Sequence, residues 1–142
     1  MLIRDCSQGR SLLARLDNGA EIIGQITDIV RERKIEAASF YAIGALTRAD
    51  LGYYDQAGHE YHIVPVDVPV ELASCSGNVS LLDGRPFLHA HAVLADGQSH
   101  TWAGHLVRGS IFAAELYLQE LPGPRLNRTH DPVTDLNLWS EL

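Results

Sequence analysis

Apolar residues return at every third or fourth position in only one part of the chain. This is the run NGAEIIGQITDIVRERK, where Ile22, Ile23, Ile26, Ile29 and Val30 fall on one face. The spacing predicts one amphipathic helix. Asp17 or Asn18 offers a side-chain oxygen to cap its start, and Arg31, Arg33 and Lys34 sit in its last turn, where the dipole favours cations. Elsewhere the period is close to two. SLLARL before the helix reads as a short strand, and AASFYAI and ALTRADLGYYD after it read as strands separated by Gly44. The stretches EYHIVPVDVPVELASCSGNVSLL, PFLHAHAVL, SHTWAGHLV and SIFAAELYLQEL also alternate, broken by turn signals at Asp83-Gly84 and Asp96-Gly97. Pro65 and Pro69 place their segment at an edge or an irregular crossing, because proline cannot donate to a ladder. SIFAAELYLQEL has helix formers from Ala113 to Leu116, but Ile111, Ala113, Glu115 and Tyr117 alternate against Phe112, Ala114, Leu116 and Leu118, which decides for a strand. The tail LPGPRLNRTHDPVTDLNLWSEL opens with two prolines and reads as a loop ending in a short strand through Leu136, Leu138 and Trp139.

A length of 142 residues suits one domain spanning residues 1–142, with no repeat, low-complexity tract or linker to divide it. Hydrophobic residues make up 46% and charged residues 20%, the balance of a globular chain, and no apolar run reaches the roughly 20 residues of a spanning helix. The opening MLIRDCSQGR lacks the pattern of a signal peptide, so a cytoplasmic location is the expectation. Cys6 and Cys75 are too few for a disulfide framework and read as reduced thiols, with Cys75 in a core strand. The net charge of −7 argues against a nucleic-acid surface, which is normally basic.

Four of the 7 histidines crowd into FLHAHAVLADGQSHTWAGH. On a strand, His89 and His91 share a face. Where His105 falls depends on the hairpin. A two-residue turn at Asp96-Gly97 puts His89 opposite Gly104 and His105 on the wrong face; a three-residue loop, Asp96 to Gln98, or a bulge at Gly104 puts His89 across from His105. The second register makes a metal site of His89, His91 and His105 and sends His100 to the other face. Three neutral imidazoles leave a fourth position for water or substrate; zinc suits them best, although iron, nickel and copper also accept imidazole. Glu115 and Glu71 are candidates to take the second ring N–H of a ligand, or are ordinary solvated strand carboxylates.

At these residues the sequence resembles the plants-and-prokaryotes conserved domain family, called PPC, whose bacterial members often carry a DNA-binding label. The likeness lies in LLARLDNGAEIIGQITDIVRERKIEAASFYAIGALTRADLGYYD and VELASCSGNVSLLDGRPFLHAHAVLADGQSHTWAGHLVRGSIFAAELYLQEL. It rests on Ile43-Gly44-Ala45-Leu46, the strand from Glu71-Leu72 to Ser76-Gly77, His89-x-His91, Gly104-His105-Leu106 and Ala114-Glu115, with a looser echo around Arg128, Thr134 and Leu138. Ala103 departs from the family, which often has a second glycine there. The resemblance covers a core of about residues 11–120, leaving 121–142 as a tail. It implies an α+β fold, a largely antiparallel sheet curled around one main helix and similar to acetolactate decarboxylase. It also implies a homotrimer and a metal site at the three histidines.

Three functions follow as expectations. The first is a metal-dependent pocket that binds or transforms a small molecule, with Arg125, Arg128 and His130 as cations for a carboxylate and Tyr53, Tyr54, His59 and His62 as further lining. The second is a DNA-associated regulator. Asp83-Gly84-Arg85-Pro86 mimics part of an AT-hook, but Asp83 and Phe87 stand where flanking cations belong, so direct duplex binding is not expected of this domain. The third is an assembly module in which metal serves only structure. No dinucleotide fingerprint, phosphate loop or serine elbow occurs, and Cys75 has no evident base beside it.

Overall fold

The computed structural model describes residues 1–141. Eight strands and one helix follow in the order β1 (Ser11–Leu16), α1 (Ile22–Glu32), β2 (Ala38–Asp55), β3 (Glu60–Val66), β4 (Val70–Leu82), β5 (Arg85–Ala95), β6 (Thr101–Glu120), β7 (Asn127–Asp131) and β8 (Leu136–Trp139). The fold class is α+β. β2, β6, β5 and β4 pair antiparallel in succession and β4 pairs back onto β2, so the sheet curls until it closes on itself. β1 lies along the C-terminal half of β6, and β3 along the end of β2 that β4 leaves free. Pro65 sits in β3 at the sheet's edge, as its missing donor requires. No helix among the described residues is long and apolar enough to cross a membrane.

From Thr101 onward the stretches SHTWAGHLV and SIFAAELYLQEL prove to be one strand, β6, and from Ala38 onward the two runs around Gly44 are likewise one strand, β2. Gly44 marks a register irregularity rather than a break. Its φ is +149°, and a Cβ there would strike the Ala113 carbonyl oxygen. Asp83 (φ 51°) and Gly84 (φ 73°) form the tight turn between β4 and β5, both in the left-handed conformation such turns demand.

α1 lays Ile22, Ile26 and Val30 against the inner face of the curl, where Phe40, Leu46, Leu72, Leu94, Ile111 and Leu118 are also fully buried. Its cap is neither Asp17 nor Asn18. Glu21 accepts from the backbone N–H groups of Ile23 and Gly24 at 3.0 and 2.6 Å. Asp17 instead accepts from the Gln25 amide, and Asn18 donates to the Phe112 carbonyl. The tail departs further from expectation: Asn127–Asp131 is a strand that pairs parallel with the end of β4 and antiparallel with β8.

Candidate metal centre

β5 alternates cleanly. Leu88, Ala90, Ala92 and Leu94 are buried in the core, which turns His89 and His91 to the outer face. The hairpin that follows uses neither register expected from the sequence. Its loop runs from Asp96 to His100, Ala95 pairs with Thr101, and His105 lies across from His91 rather than His89. Relative to the three-residue loop the pairing has slipped by two, and an even slip keeps every side chain on its face. His105 therefore still joins its two companions. Asp96 organises the loop by accepting from the backbone N–H groups of Gln98 and His100, and it holds the His100 ring at 2.8 Å, away from the cluster. Gly104 lets β6 approach β2 closely, since a Cβ there would lie 3.0 Å from the Gly52 carbonyl oxygen.

The three rings meet. Their centroids are 5.2 Å (His89–His91), 5.3 Å (His89–His105) and 5.7 Å (His91–His105) apart, and one ligand nitrogen from each lies within 4.8 Å of the others. Nitrogens bound to one ion at about 2.0–2.1 Å lie no more than about 4.2 Å apart, so a separation within 4.8 Å needs at most a small closing of the rings. Nδ1 of His105 is buried and has no hydrogen-bond partner, a costly state for a polar atom unless something electropositive satisfies it. His89 and His105 are half-buried, and burial lowers the pKa of both. For His89 it falls to about 4, first through burial and then through the charges of Arg128, His105 and His91. The His89 ring is thus held neutral, as ligation requires. The donor set fits a borderline divalent ion.

The surroundings come partly from residues the sequence did not single out. Tyr61 on β3 tilts against the His105 ring at 5.5 Å and against Tyr54 at 4.9 Å. The Tyr54 hydroxyl donates to the Thr134 carbonyl at 2.6 Å, bringing the β7–β8 turn over that side. His59 stacks on Tyr54, while Tyr53 and His62 are exposed, His62 beside Glu60. Asn78, directly across β4 from His89, receives a hydrogen bond from Arg128 at 3.0 Å. Alternation alone gave no signal for Asn78, because its importance depends on the register of β4 against β5.

Arg128 is therefore brought beside the histidines. Arg125 is not: it is exposed and pairs with Glu36 at 3.1 Å. His130 is exposed and faces Asp135. Neither candidate carboxylate reaches an imidazole. Glu71 pairs with Ala95, roughly 13 Å along the strand from His91, and Glu115 is roughly 33 Å along β6 from His105. Those two glutamates instead line one depression together with Arg15, Gly44 and Ala113.

A family model described as the Plants and Prokaryotes Conserved (PCC) domain matches residues 3–122. Among solved structures, a metal-containing protein of Archaeoglobus fulgidus is 39% identical, with 99% of this chain and 100% of that one covered and a TM-score of 0.95. A plant- and prokaryote-conserved protein of Pyrococcus horikoshii is also 39% identical, with 100% and 99% covered and a TM-score of 0.94. The bifunctional protein GlmU of a Synechococcus strain is 30% identical over 123 residues, which are 84% of this chain but 18% of that protein.

Proposed function

The chain belongs to the Plants and Prokaryotes Conserved domain family, and from that premise we propose that it works through one divalent metal ion, zinc, held by His89, His91 and His105, at which a small molecule is bound or transformed. The observation that carries this reading is the convergence of three imidazole nitrogens within 4.8 Å on one sheet face. The similar protein described as metal-containing supports it. Three neutral protein ligands are the complement of a zinc site that keeps a position for an outside ligand, whereas closed structural sites use four. When bound, such an ion supplies Lewis-acid polarisation of a ligand atom. The protein's own part is to fix the rings on two paired strands, to wall one side with Tyr61 and to set the charge of Arg128 beside His89.

Duplex DNA is not favoured as the partner, because the chain carries a net charge of −7. A homotrimer in the cytoplasm completes the proposal.

Elemental analysis of the purified protein against a His89→Ala, His91→Ala double variant tests the metal. One zinc per chain is expected in the first and none in the second, with the far-UV circular dichroism of the two superimposable. Equal metal content in both overturns the reading.

A further inference from the structure

Five arginines of this chain are exposed and matched to carboxylates. Arg10 pairs with Glu120, Arg31 with Asp28, Arg48 with Asp67, Arg108 with Asp50 and Arg125 with Glu36. Arg128 reverses both features. It is the buried one, at 8% exposure, and among the described residues no carboxylate pairs with it. In a chain with 18 acidic residues, the arginine with the least access to water has no carboxylate partner.

The guanidinium is instead held by neutral groups. Nε donates to the Ser80 hydroxyl at 2.7 Å, one terminal nitrogen to the Asn137 carbonyl at 2.9 Å and the other to the Asn78 side-chain oxygen at 3.0 Å. The Phe87 and Trp139 rings lie 5.1 and 5.6 Å from its central carbon. Strand pairing fixes where this happens. Ser80 is opposite Phe87, Asn78 is opposite His89, and Phe87 and His89 share the outer face of β5. The guanidinium therefore reaches from the Phe87 rung to the rung of His89 itself. A guanidinium has five N–H donors; three are used, and one on each terminal nitrogen is left. Keeping a full charge out of water costs free energy that three neutral acceptors and two aromatic faces only partly return.

Resting on the metal reading above, the geometry points to a substrate class: we propose that Arg128 receives the carboxylate of a small organic acid whose remaining atoms reach the metal at His89, His91 and His105. The remaining N–H on each terminal nitrogen suits the two oxygens of a carboxylate, and the ion adds its own positive charge beside it. The result is a locally cationic spot in an otherwise acidic molecule. Arg128 acts as a binding residue, and its attachment to β4 and β8 holds the fork in place before the ligand arrives.

The test uses acetate as the probe, acetamide as its neutral counterpart and inorganic phosphate as a second anion, each titrated by ligand-observed NMR. The protein is used as purified and after chelator treatment, with zinc content measured alongside. Wild type is expected to bind acetate at least tenfold more tightly than acetamide. Arg128→Met should lose that preference, and Arg128→Lys, which keeps the charge but not the fork, should retain part of it. Because Arg128→Met also loosens the tail hairpin, Asn78→Asp supplies an independent arm. It places a carboxylate against the guanidinium and should abolish acetate selectivity with circular dichroism unchanged. An unselective wild type, or variants with wild-type acetate affinity, overturns the proposal, as does phosphate binding that exceeds acetate and ignores Arg128→Met. Absent zinc with acetate selectivity intact removes the metal reading alone.

Discussion

A thiol packed among apolar side chains resists ionisation, and the two cysteines should differ sharply for that reason. Burial pushes the Cys75 thiol up to about 11, whereas Cys6 is exposed. Iodoacetamide at pH 8 is expected to label the native protein at Cys6 alone and to reach Cys75 only in denaturant, as peptide mass mapping would reveal; rapid native labelling of Cys75 contradicts its burial. Gly44 is the other residue whose identity the backbone dictates. Gly44→Ala combines an unfavourable positive φ with a collision against the Ala113 carbonyl, and it should cost about 2 kcal/mol or more by urea denaturation. At this scale the site was legible only as parity. The sequence states which face His89 and His91 share, but the partner of His105 depends on the Asp96 to His100 loop. That loop is set by Asp96 side-chain bonds, for which no periodicity exists. The role of Arg128 was less visible still, because a cation in a polar tail reads as solvated until Ser80, Asn78 and two aromatic rings are seen around it.

Among the elements, α1 and the alternating strands were readable because burial repeats with the period of the backbone. The helix cap was not, since Asp and Asn are the favoured caps and Glu is an uncommon one. Glu21 succeeds here because its carboxylate serves two elements, taking the N–H groups of Ile23 and Gly24 in α1 and that of Gly109 in β6. Glu21→Ala should lower stability by about 1–2 kcal/mol, and Asn18→Ala by less, in parallel denaturant melts. β7 escaped notice because NRTHD has no apolar alternation; what makes it a strand is a vacant edge at the end of β4. The opposite terminus is tied by Arg10, whose side chain holds the Glu120 carboxyl down at about 2 from the ordinary 4.5. A depressed folded-state pKa means stabilisation that is complete above about 4.5 and is lost as the pH falls through about 2. The melting temperatures of wild type and Glu120→Gln should accordingly differ at pH 6, converge below pH 4.5 and coincide near pH 2; a gap that persists at pH 2 excludes the ion pair as its cause.

For the molecule as a whole, the decisive feature is that the core and the histidine triad lie on opposite faces of one closed sheet. The inner face and α1 bury a continuous apolar cluster that needs no ion, since the imidazoles of the triad lie outside it on the outer face. Hydrophobic burial at about 25 cal/mol per Å² over that cluster is the term that holds the curl together. A metal at the triad adds only the linkage free energy of a ligand that prefers the folded state. On the proposed reading the ion is therefore not needed to hold this core together. The chelator-treated protein is thus expected to keep its far-UV circular dichroism and, by light scattering, the same mass as before treatment. Its melting temperature should fall by several degrees and recover when zinc is returned. Collapse of the circular dichroism, or dissociation on stripping alone, would show that the outer face carries the fold, and the metal would then be structural.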